Sequence, residues 1–185
     1  MKRSLVFILI AFCSFKLVAQ ESDFALSGGY VFTNIESTDL NATGFRINGL
    51  YEFNPMEGML AHGISMGYIR TTASNTNPVN SKTTNYTLST FPIYYAPKLM
   101  FGSKSFKGFI KGELGFHYSG YKRSGELATI DDWDFGFYGG AGVGLMKTIK
   151  DNIFINVEYE WAYLSNTSYR DGFVNSIMGG IGFSF

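Results

Sequence analysis

Apolar and polar residues alternate one by one along most of this chain. In FRINGLYEF (45–53), Phe45, Ile47, Gly49, Tyr51 and Phe53 fall on one side, with Arg46, Asn48, Leu50 and Glu52 on the other. FKGFIKGELGFHYSG (106–120) sets Ile110, Leu114, Phe116 and Tyr118 against Lys107, Lys111, Glu113, His117 and Ser119. FGFYGGAGVGL (135–145) opposes Phe135, Phe137, Ala141, Val143 and Leu145 to tyrosine and glycines, and IFINVEYEWAY (153–163) opposes six apolar or aromatic residues to Asn156, Glu158 and Glu160. Alternation of period two over nine or more residues predicts strands. Residues 24–35, 60–71, 86–101 and 174–185 carry the pattern more weakly, and Pro92 and Pro97 in the third of these predict local irregularity, because proline cannot donate to a ladder. Eight strands result.

The connections order them. Longer polar stretches follow strands one, three, five and seven (36–42, 72–82, 121–132 and 165–173), and TTASNTNPVNSKTTNYT (71–87) reads as a long exposed loop. Tight ones follow strands two, four and six: NPME (54–57), GSKS (102–105) and TIKDN (148–152). Long loops on one rim and short turns on the other predict an all-β, eight-stranded antiparallel up-and-down transmembrane beta-barrel. About ten residues per tilted strand suffice to cross the hydrocarbon layer. A soluble barrel of the same size would turn its apolar face inward. Here the polar face carries Arg46, Glu52, Lys111, Glu113, Asp134, Glu158 and Glu160 among glycines, a set suited to a narrow lumen charge network. The other face is broad and aromatic at its ends (Phe53, Phe106, Tyr118, Phe135, Trp161, Tyr163), as an interfacial girdle requires.

Composition narrows the class. Lysine plus arginine and aspartate plus glutamate are 15 each in 185 residues, so no basic excess points to nucleic acid as a partner. The N-terminus has Lys2 and Arg3, an apolar run from Leu5 to Phe15, and small residues around Ala19, the order of a cleavable signal peptide. The expected organisation is a signal peptide over 1–19 and a single barrel domain over 20–185. The only cysteine, Cys13, lies in the apolar run, so the mature chain is expected to have no thiol chemistry.

The signal peptide, the strand and turn rhythm, FIKGELGFHYSG, GGAGVGL and the closing GGIGFSF together resemble the small eight-stranded outer-membrane barrels of the OmpX and OmpA-barrel type, the outer membrane protein beta-barrel domain group. The resemblance spans residues 24–185. It implies residence in the outer membrane of a Gram-negative bacterium, amid outer-membrane lipid and lipopolysaccharide. It also implies that the final strand, with Ile181, Phe183 and Phe185, is the assembly signal read by the barrel-assembly machinery. The expected role is structural or adhesin-like at the cell surface, with an unidentified extracellular ligand meeting the long loops.

Candidate chemistry is sparse. His117 and Ser119 lie two apart on one strand face, where a base could activate a hydroxyl, and the spacing resembles the motif of outer-membrane lipid A deacylases. That motif continues with Asn where this chain has Gly120, and the strand register turns both residues to the lumen, away from lipid. An acidic orienter would have to come from Asp131 or Asp132. The alternatives to a non-catalytic barrel are therefore an enzyme acting on lipid A through His117 and Ser119, or a small passive or ligand-binding channel. IDDWD (130–134) lacks the spacing of a calcium loop, the glycines of GGAGVG open no helix, and His62 reads as an interfacial residue. No metal or cofactor is expected.

Overall fold

The computed structural model describes residues 21–35, 40–54, 59–103, 105–125 and 129–185. The signal peptide reading, Cys13 and most of the NPME turn lie outside the described residues. Nine strands are found among those described: β1 (Glu21–Ile35), β2 (Leu40–Asn54), β3 (Leu60–Thr76), β4 (Thr83–Tyr95), β5 (Lys98–Gly102), β6 (Phe106–Gly125), β7 (Ile130–Lys150), β8 (Ile153–Leu164) and β9 (Tyr169–Ser184). All pairings are antiparallel. β1 pairs with both β2 and β9, so the sheet closes into a ring.

The ninth strand arises from Pro97. β4 and β5 occupy one place in the wall, between β3 and β6, and are interrupted only at Ala96 and Pro97. The register against β6 runs on across the gap, from Tyr95 opposite Leu114 to Lys98 opposite Lys111. The joint stays bonded on both sides, since Ala96 donates to the Gly63 carbonyl at 2.8 Å and the Pro97 carbonyl accepts from Gly112 at 2.9 Å. Nine strands thus make eight staves. Pro92 disturbs less: it stays within β4 opposite His117, and only the β3 ladder skips, from Met66–Ile93 to Ile69–Thr90.

Burial is inverted relative to a water-soluble barrel. Arg46, Glu52, Lys98, Lys111, Glu113, Glu158 and Glu160 are buried, whereas Phe24, Ile47, Ile64, Ile93, Phe116, Val143, Val157 and Ile177 stand exposed on the outer wall. No water-facing surface carries so continuous an apolar band, whereas a hydrocarbon layer demands one and accepts a closed ring because no ladder edge is left unpaired. On β2 the outward apolar run from Phe45 to Phe53 covers nine residues. At about 3.4 Å per residue and a tilt of about 40°, it crosses roughly 23 Å, close to the band expected of such barrels.

The polar connections are shorter than the sequence suggests. Strands run through Thr76, Gly125 and Leu164 on one side of the tips and resume at Leu40, Thr83, Ile130 and Tyr169 on the other. The stretch 71–87 is therefore mostly a paired hairpin, closed by a turn in which Asn77 donates to Lys82 and Ser81 to Asn77, both at 2.9 Å. Residues 72–82, 121–132 and 165–173 are wall for much of their length, because continued pairing satisfies their backbone groups.

Candidate functional site: the lumen network and the extracellular mouth

The lumen is built by pairing long side chains with absent ones. Across β6 and β7, Phe109 faces Gly144, Lys111 faces Gly142, Glu113 faces Gly140 and His117 faces Gly136, while Tyr138 faces Gly115. A β-carbon at Gly140 would lie 2.8 Å from Glu113 Oε2, and one at Gly142 would lie 3.2 Å from Lys111 Cε. At Gly136 it would collide with the His117 ring. The glycines of β7 are the floor on which the charged residues of β6 lie.

The charges those residues carry meet in one cluster. Lys111 Nζ lies 2.9 Å from Glu113 Oε1, 3.0 Å from Glu158 Oε1 and 3.0 Å from Glu160 Oε2. Arg46 pairs with the other oxygen of Glu160 and donates to the Tyr94 hydroxyl at 2.9 Å. Tyr138 donates to Glu160 at 2.9 Å and to Glu113 at 3.2 Å, and its ring stacks on Tyr94 with centroids 4.8 Å apart. Towards the short-turn rim, Glu52 pairs with Lys98, whose ammonium lies over the Phe109 ring at 4.7 Å. Lys98 and Lys111 stand directly opposite each other, a repulsive placement that their separate carboxylates relieve. Eight staves leave an interior that side chains fill. Here ions in mutual contact fill the middle, and a buried apolar layer that includes Val31, Ile35, Ile69, Leu88, Leu164 and Val174 fills the hairpin end.

Asp134 is elsewhere. It sits on the same inward face of β7 but two residues beyond Gly136, where the wall opens to water, and it is exposed. Its carboxylate accepts from the Phe135 amide at 2.7 Å, and Asp132 accepts from the Trp133 amide at 3.0 Å. Above Tyr138, which faces Leu164, the β7–β8 ladder ends, so these side chains cap backbone donors that have lost their strand partner. Two residues that the sequence reading did not single out also close this gap: Ser165 binds Phe137 through both its amide and its hydroxyl, and Asn166 donates to the Phe135 carbonyl at 3.1 Å. Beside it lies a mouth cleft of about 310 Å³, with Leu88, Ser119, Tyr121 and Asp134 among its lining residues.

His117 and Ser119 are both buried. His117 Nε2 lies 2.8 Å from the Ser165 carbonyl and therefore carries the proton, which leaves Nδ1 to accept from Ser119 Oγ at 2.7 Å. Ser119 also lies 2.9 Å from Thr90 Oγ1. The position an acidic orienter would take is held by a main-chain carbonyl. Asp131 turns outward to Lys122 at 3.7 Å, and Asp132 caps Trp133. His62 lies on the outer wall between the rings of Phe53 and Tyr95. Among the described residues no group of three or more His, Cys, Asp or Glu is placed to hold a metal ion.

At the closing seam, Phe185 and Ser22 exchange backbone hydrogen bonds of 2.8 and 3.1 Å, and Phe24 lies opposite Phe183. Ile181, Phe183 and Phe185 all face outward, and Phe185 packs near Tyr51. A family model described as outer membrane protein beta-barrel domain matches residues 5–185. The chain belongs to that family. Its fold is shared with Ail, the attachment invasion locus protein of Yersinia pestis, at a TM-score of 0.59 and 17% identity over 91% of this chain and 100% of that one. It is equally similar to Neisserial surface protein A, at a TM-score of 0.59 and 14% identity over 91% and 100% of the two chains. Among curated proteins none matches. The protein is an outer-membrane barrel of a Gram-negative bacterium.

Proposed function

We propose that this barrel is a non-catalytic surface protein, which presents its hairpin tips to extracellular ligands from a closed and rigid wall. The observation that carries this reading is the ion cluster at mid-lumen, where Arg46, Lys111, Glu113, Glu158 and Glu160 fill the bore and rest on the glycine face of β7. A solute path would have to break pairs that stay together because each partner alone would be a buried uncompensated charge. The remaining chemistry-bearing surface is the rim of the extended hairpins. Ail, which shares the fold, has been crystallised with the heparin analogue sucrose octasulfate, and in the present barrel the rim of hairpin tips is the surface we assign to ligand contact. Signal removal near residue 19 and recognition of the last strand by the assembly machinery belong to the same reading.

The test replaces the turn at 77–82 with a two-residue Asn-Gly turn, which keeps the paired arms of β3 and β4. Cells carrying the shortened hairpin are expected to lose attachment to glycan-coated surfaces, while the barrel remains folded and non-conducting in planar bilayers. Stable single-channel conductance by the parent protein would establish the channel reading instead. Unchanged attachment after all the hairpin tips are shortened would remove the surface role.

A further inference from the structure

At the hairpin end the outer wall over β2, β3, β4, β6 and β7 changes from apolar to polar. Going up these strands, Phe45 gives way to Thr43 on β2, Tyr68 to Arg70 on β3, Phe91 to Ser89 and Thr87 on β4, Tyr118 to Gly120 and Lys122 on β6, and Trp133 to Asp131 on β7. The aromatic residues just below form a near-continuous row, with ring centroids 5.9 Å apart for Phe45–Tyr68, 4.8 Å for Tyr68–Phe91, 6.3 Å for Phe91–Trp133 and 5.0 Å for Tyr118–Trp133. Such a row marks the level of lipid headgroups.

Two cations stand on this ledge. Arg70 lies opposite Ser89, and Lys122 lies opposite Thr87, so β4 presents two hydroxyls between an arginine and a lysine on the neighbouring strands. Two strand spacings of about 4.8 Å and an offset of two residues at about 3.4 Å each place the two Cα atoms roughly 12 Å apart across the wall, within joint reach of the two long side chains. Arg70 forms no ion pair among the described residues. Lys122 has only Asp131, at 3.7 Å with side chains 58% and 53% exposed, a pairing too weak and too wet to hold it against a stronger anion. Gly120 lets the Trp133 indole lie flat against the wall below Lys122, where a side chain would collide with it.

We propose that Arg70, Lys122, Ser89 and Thr87 form a headgroup site for a phosphorylated glycolipid of the outer leaflet, with its phosphate on the ledge and its acyl chains along Met66, Ile93 and Phe116. A guanidinium grips phosphate through two parallel bonds, an ammonium adds a point charge, and hydroxyls complete the shell. The site faces the lipid side of the wall at belt height, not the water above the tips, and this selects a lipid over a soluble anion. The proposal rests on the membrane reading of the barrel, and a heat-dependent gel shift in plain phosphatidylcholine tests that reading separately.

The protein is folded into phosphatidylcholine nanodiscs, alone or doped with lipid A, with dephosphorylated lipid A, or with phosphatidylglycerol, and its unfolding half-time in denaturant is followed. Lipid A is expected to lengthen the half-time about tenfold over the dephosphorylated form, the scale of one good charged contact. The Arg70→Gln/Lys122→Gln double variant should lose this protection, Arg70→Lys should keep part of it, and Lys107→Gln/Lys147→Gln on the opposite rim should keep all of it. Equal protection by dephosphorylated lipid A or by phosphatidylglycerol, or full protection of the double variant, would overturn the site.

Discussion

Lys111 is the residue on which the lumen turns, because three carboxylates converge on its ammonium from two strands. Removing one partner of a buried ionic cluster leaves charges uncompensated, at a cost of about 3–5 kcal/mol. Lys111→Met is therefore expected to lower barrel stability by that order, read as a shift in the denaturant midpoint, while Lys107→Met near the rim changes little. The glycines opposite make a second prediction at this scale. Gly136→Ala drives a methyl into the Ser165 carbonyl oxygen and the His117 ring, an overpacking that costs about 1–3 kcal/mol. In a His117→Ala background only the imidazole share of that cost should disappear, because the Ser165 carbonyl stays in place, so a double-mutant cycle on unfolding free energy separates the two clashes. Ser119→Ala should weaken the barrel without altering the acyl-chain content of lipid A, since the Ser119–His117 pair faces the inside of the barrel, away from lipid, and is anchored by Thr90 and Ser165. Release of acyl chains by the parent but not by this variant would make the barrel an enzyme.

The β3–β4 hairpin shows how far an element can outrun its sequence signature. Within the membrane each strand has one face in hydrocarbon and one in a polar lumen, so period two is written into the residues, and the alternation in 45–53, 106–120, 135–145 and 153–163 maps onto observed outward and inward faces. Above the membrane the outer face meets water too, so polar residues stand on both faces. Ser74, Asn75 and Thr76 then carry no alternation, and they look like loop although they pair with Asn85, Thr84 and Thr83. The same blindness explains Asp134: spacing gave its face, but depth along the strand, which separates a buried lumen charge from an exposed mouth residue, has no periodic signal. Ser165 and Asn166 could have been noticed only as hydrogen-bonding residues beside a strand end. It follows that amides in the upper arms of this hairpin should resist hydrogen exchange in micelles as ladder amides do, while those of Val79 and Asn80 at the tip exchange fast. A cysteine at Ser74 or Val79 should label in intact cells, and one at Ser103 should not. Fast exchange throughout 72–82 would restore the long-loop reading, and labelling at Ser103 alone would invert the topology.

For the whole molecule, the decisive event is closure of β9 on β1, since a ring without free ladder ends is the condition under which strands survive in hydrocarbon. Closure is made by the register from Phe24–Phe183 upward and by the paired backbone bonds of Phe185 and Ser22. The side chains on that last segment divide between two media. Phe185 is 63% exposed on the outer wall beside Tyr51, whereas Ser184 points to the inside and is half-buried. A carboxylate at Phe185 would sit at the lipid boundary, where burying a charge is costly near the hydrocarbon and mild at the interface; a carboxylate at Ser184 would meet the polar lumen end. A closed barrel keeps its compact shape in detergent until boiled, so the fraction that runs fast on unboiled gels measures completed closure. Phe185→Asp is expected to reduce that fraction in membranes severalfold, Ser184→Asp to leave it nearly unchanged, and Phe185→Tyr to restore it, because an aromatic with a polar tip suits the interface. Equal closure of the two aspartate variants would mean that the backbone seam alone drives assembly and that the terminal aromatic serves another purpose.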